Sequence, residues 1–141
     1  VNGNAYGTTK KSVEEARARG KNVILDVDTI GAMKIRALCP DATLIYILPP
    51  SWDELKSRLS STGIYTEEEV NALMEIAEEE ISCANSYDYI LVNDTISNTL
   101  SRFAQIIHSN RYSRNCMKEF LDSYIDGEVK PHVQSYKEAL L

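Results

Sequence analysis

At 141 residues, 43% of them hydrophobic, the chain has the size of one domain or part of one, with enough apolar material for a modest core. Its formal net charge of −6 argues against a nucleic-acid or anionic-membrane surface, since a phosphate backbone is met by a basic stripe. Seven glutamates lie between Glu67 and Glu80, so the acid excess is local and marks one solvated helix face.

Val1–Thr8 (VNGNAYGT) is a Gly- and Asn-rich loop with one aromatic. Thr9 or Ser12 can cap a helix running to about Arg19, with Gly20 as its stop. Val23, Ile24 and Leu25 form an unbroken apolar run, the pattern of a strand buried on both faces of a parallel sheet. The run ends in Asp26 and Asp28, and Gly31 opens a short helix that Pro40 terminates after Leu38. Open α/β sheets bind ligands beyond the carboxyl ends of their strands, so these two acids stand where function is expected. The alternative is that one of them only caps the helix that follows.

Thr43–Leu48 (TLIYIL) reads as a second buried strand, broken by Pro49-Pro50. Ser51 with Glu54 makes a capping box for a helix over Trp52–Leu59, and Thr66 with Glu69 makes another for a long helix to about Cys83. Val70, Leu73, Met74, Ala77 and Ile81 give that helix an apolar stripe. Tyr89–Val92 (YILV) is a third strand, followed by Asn93-Asp94 and a helix with Leu100, Phe103, Ile106 and Ile107 inward. Three short apolar strands alternating with helices predict a parallel α/β sheet. Beyond Asn110 the charges balance, with one helix expected through Met117, Phe120, Leu121 and Tyr124 and a last one over His132–Leu140. Cys39, Cys83 and Cys116 include no CxxC pair and suggest reduced thiols of a cytoplasmic protein. His108 and His132 have no partner pattern and read as surface residues. No apolar run reaches membrane-spanning length, and no signal peptide is visible. The first residue is valine, as expected of a chain that begins inside a longer reading frame.

Four segments, in order, resemble the guanylate kinase family. They are GNAYGT at Gly3–Thr8, ILDVDTIG at Ile24–Gly31, LPPSWDELKSRL at Leu48–Leu59 and YDYILVND at Tyr87–Asp94. The resemblance spans about Gly3–Ile107 and is far more specific than any single motif. It implies an α/β fold, an incomplete three-layer P-loop-kinase-type parallel sheet with flanking helices and a helical lid. Residues 1–108 would be the core, with the lid at about 51–85, and 109–141 a helical C-terminal extension. The family transfers phosphate from ATP to GMP. The resemblance implies GMP binding by Tyr6, Thr8, Asp28 and, less directly matched, Asp26. It puts Asn93 and Asp94 on the adenine side of ATP and makes Arg58 the candidate phosphate contact. Each has an ordinary structural alternative: a packed loop aromatic for Tyr6, a helix cap for Asn93-Asp94, a solvated helix charge for Arg58. No metal ligand is expected, and ATP with magnesium is expected only for a complete family member.

Phosphoryl transfer depends on positioning and on positive charge around the transferring group. No GxxxxGK[ST] is present, so the loop that cradles phosphates is lacking from this sequence. The family's GMP-gripping arginines and acid also precede the first residue here. Within the lid, the family's GRG is replaced by Ser61-Thr62-Gly63 and its RRL or KRL by Ala72-Leu73-Met74; outside it, the family's Gln before the strand-end glycine is replaced by Ile30. Two expectations follow: a degenerate, catalytically inactive domain that retains GMP binding or serves as a binding module, or the C-terminal part of an active enzyme. Expected partners are a guanine nucleotide and a protein or missing N-terminal segment that completes the sheet, with no nucleic acid and no membrane. The tail helix beyond Asn110 is a second candidate to cover the sheet's bare face.

Overall fold

The structure is a computed structural model, and it describes residues 9–127. Tyr6, Thr8, His132 and the helix expected over His132–Leu140 lie outside the described residues.

Thr9 caps helix α1 (Lys10–Ala18), its hydroxyl accepting from the Ser12 amide, and Gly20 ends the helix at a φ of 72°. The expected strand at Val23–Leu25 does not form. Asn22–Val27 makes no backbone hydrogen bond among the described residues, and Ile24 is 66% exposed. A strand exists only through a neighbour that accepts its ladder, and here β1 pairs with β2 alone. The apolar run is thus an extended strap and not a strand buried on both faces.

Helix α2 (Thr29–Leu38) starts two residues before the expected Gly31. Strand β1 (Ile45–Leu48) is followed by α3 (Trp52–Ser61) and α4 (Glu67–Ile81). The Thr66–Glu69 capping box closes in both directions, at 2.8 and 3.2 Å. The expected Ser51–Glu54 box closes in only one. Ser51 accepts from the Glu54 amide, but the Glu54 carboxylate turns to Arg58, a stronger charge-assisted partner. A 3₁₀ turn (Ser82–Ser86) leads to β2 (Tyr89–Val92), then α5 (Ile96–Asn110) and α6 (Lys118–Ile125).

Strands β1 and β2 are parallel, in register from Ile45 opposite Tyr89 to Leu48 opposite Val92. The crossover between them is helical, as a parallel pair requires. Ala32, Leu44, Val70, Ala84 and Leu91 form the small buried core. Ile47 and Ile90 remain 54% and 55% exposed, so this parallel α/β unit buries little of either sheet face. The glutamates of α4 are exposed except Glu80, which is half-buried. Arg36 staples the unit from α2. Its guanidinium donates to the Pro40 and Ala42 carbonyls at 3.0 and 2.9 Å and pairs with Asp88, which also accepts from the Leu44 amide.

Candidate functional site

The sequence-derived site residues fall into two groups. The first gathers at the carboxyl end of β2. There the Asn93 amide continues the ladder by donating to the Leu48 carbonyl at 2.7 Å. Thr95 caps α5 and starts it immediately after the loop. Asp94 Oδ1 accepts from the Thr95 amide at 2.6 Å, while Oδ2 accepts from Asn98 Nδ2 at 3.3 Å and pairs with Arg102 Nη1 at 3.1 Å. The Thr95 amide bond, aided by Asn98 and Arg102, holds the carboxyl below its ordinary value against a smaller opposing effect of desolvation.

Arg58, on α3, reaches the same corner. Its Nη2 donates to the Asn93 and Asp94 carbonyls at 3.0 and 3.5 Å, and its Nε bonds Glu54 at 2.7 Å. Asn93 Oδ1 accepts from Thr99 Oγ1 at 3.0 Å. Arg58, Asn93 and Asp94 are therefore brought together, as one bonded corner. Beside it an open groove of about 700 Å³ is lined by residues including Ile90, Val92, Asp94, Arg102 and Gln105.

The second group lies at the strap. Asp28 Oδ1 caps α2 through the Gly31 amide at 2.6 Å. A Cβ at position 31 would come within 2.9 Å of that same oxygen, so glycine is what allows so close a cap. The capping alternative for Asp28 is realised, and its Oδ2 has no partner among the described residues. Asp26 is exposed and has no hydrogen bond or ion pair among the described residues. Nearby, Thr29 Oγ1 donates to Glu80 at 3.5 Å, and the Tyr46 and Tyr87 rings meet edge-on at 5.0 Å. Burial raises both phenols above the ordinary value. Glu80 and Tyr87 add to this at Tyr46, and Cys83, Glu80 and Asp28 add to it at Tyr87.

The sequence reading missed Thr99, Asn98 and Arg102, which build the first group. A signal was present: Asn98 follows Asp94 by four residues across a Thr cap, the spacing of one helical turn. It also missed the Arg36–Asp88 staple, which joins residues 52 apart and has no local signature.

A protein-family model described as Guanylate kinase matches residues 1–110. The guanylate kinase of Clostridium acetobutylicum is 39% identical over 137 residues, covering 96% of this chain and 64% of that protein. The match therefore takes in most of the segment beyond residue 110. The Francisella tularensis guanylate kinase is 44% identical over 108 residues, covering 76% of this chain and 57% of that protein. The Clostridium perfringens enzyme is 37% identical over 136 residues, 96% of this chain and 62% of the relative. The chain thus spans about three fifths of the length of these relatives. Among the described residues no helix is long and apolar enough to cross a membrane. With four sequence segments in register and a family match over residues 1–110, this chain belongs to the guanylate kinase family.

Proposed function

We propose that this chain is a guanylate-kinase-like nucleotide domain of the cytoplasm, one that holds a guanine nucleotide and does not by itself transfer phosphate. Its core is residues 1–108, with the lid at about 51–85, and residues 109–141 are a C-terminal extension. Tyr6, Thr8, Asp26 and Asp28 make the GMP half-site. Asn93 and Asp94 face the adenine of ATP.

One observation carries the reading. Arg58, the basic residue at the start of the lid, is spent on Glu54 and on the carbonyls of Asn93 and Asp94. Where the family's lid reads GRG and RRL or KRL, this chain has Ser61-Thr62-Gly63 and Ala72-Leu73-Met74. An arginine at a phosphoryl transition state contributes about 10³–10⁵ in rate, so losing two from the lid leaves little catalysis. Magnesium-ATP is the requirement of a complete family member.

The test is calorimetry of GMP against the chain, with Tyr6→Phe and Asp28→Asn beside it. Saturable binding, weakened by both substitutions, is expected, together with no GDP formed from GMP and ATP. Absence of heat from a folded sample overturns the half-site.

A second reading has its own support. Relatives align along 96% of this chain yet are about half as long again, and the two-stranded sheet leaves Ile24, Ile47 and Ile90 bare. On that reading the chain is the C-terminal part of a kinase, and another segment or partner supplies the phosphate-binding strand. Activity on adding a P-loop-bearing family segment would favour it.

A further inference from the structure

We propose that Thr99 is a positioning residue that fixes the amide of Asn93 so that it selects a 6-aminopurine; this rests on the reading that Asn93 and Asp94 face adenine. Asn93 and Thr99 are both half-buried. The Asn93 main chain is held on both sides, its amide on the Leu48 carbonyl and its carbonyl on Arg58. Only the side-chain amide is left to turn, and the Thr99 hydroxyl bonds its oxygen at 3.0 Å. Thr99 sits in the first turn of α5, its own amide donating to the Thr95 carbonyl at 2.8 Å, so the hydroxyl is borne on a capped helix.

An amide oxygen has two lone pairs, and Thr99 uses one. The other can accept from an amino group, while Nδ2, without a partner among the described residues, donates to a ring nitrogen beside it. That is how an asparagine reads adenine, and a purine lacking the amino group leaves the oxygen's second lone pair without a partner. Without Thr99 the amide rotates freely and presents either end. The discrimination falls even though no contact to the base has been removed.

The experiment measures binding of ATP, and of its analogue lacking the 6-amino group, by calorimetry on the full chain, on Thr99→Val and on Thr99→Ser. Valine keeps the shape and removes the hydroxyl; serine keeps the hydroxyl. The chain is expected to prefer ATP by about three- to tenfold, the worth of one hydrogen bond. Thr99→Val should bring the ratio close to one, and Thr99→Ser should restore it. A purely structural role for Thr99 would weaken both ligands equally. An unchanged ratio in Thr99→Val, with ATP still bound, overturns the positioning role and leaves the adenine reading standing. No ATP binding by the unsubstituted chain overturns both.

Discussion

The corner after β2 and the strap before α2 begin from similar sequence: a short apolar run, then a short stretch that ends in an aspartate, then a capped helix. At the corner, Val92 ends a paired strand, and Asn93 and Asp94 are held by Arg58, Thr95, Asn98, Thr99 and Arg102. At the strap, Ile24 and Val27 stay exposed, and among the described residues the Asp28 carboxylate is held only by the amide it caps. The difference is the ladder. Where β2 pairs with β1, the loop emerges at a fixed place and a network can be built on it. Where the strap pairs with nothing among the described residues, its carboxylates inherit only local order.

The sharpest way to break this contrast is a matched pair of truncations. Leu91→Ala, at 3% exposure, should cost about 2–4 kcal/mol in denaturant unfolding, whereas Ile24→Ala should cost under about 1 kcal/mol. Equal costs would mean that the strap is buried after all. Next in size, Arg58→Ala removes the tie between α3 and the corner and should cost about 1–2 kcal/mol, discounted for an arginine that is 38% exposed. A loss confined to nucleotide affinity, with stability intact, would instead make Arg58 a free ligand group.

The smallest effect is on pH dependence. Asp94 is held below its ordinary carboxyl value, so its contribution is complete above that value and disappears as pH falls through the lower folded one. Asp94→Asn should therefore flatten the acid limb of a melting-temperature profile and leave the neutral limb sloping as before. An acid limb that is unchanged would show that the corner does not hold the charged form.

Much of the helical frame was legible because caps are local chemistry. Thr9, Thr66 and Gly20 act within a few residues of themselves, and each stands where its spacing places it. Strands β1 and β2 were legible as apolar runs closed by Pro49 and Asn93. The strap was not, since Val23–Leu25 carries the same pattern and whether it pairs depends on what lies beside it in space. The candidate corner was half legible. Arg58, Asn93 and Asp94 were singled out by family resemblance, and they lie together in the fold. Arg102 was not, because an arginine on α5 looks like any solvated charge until the strand end places Asp94 before it.

The register of the two strands also shapes how the chain reaches its fold. Ile45 lies opposite Tyr89, 44 positions later, so the first ladder contact closes a long loop. For a flexible chain of that length the closure entropy is about 3 kcal/mol, which a four-residue ladder alone scarcely offsets. The capped helices α3 and α4, which pack on one another within that loop, shorten the effective search by turning most of it into two rods. If these rods form before the strands meet, weakening the cap at Ser51 or Thr66 should slow folding more than it speeds unfolding, which stopped-flow refolding and unfolding rates would check.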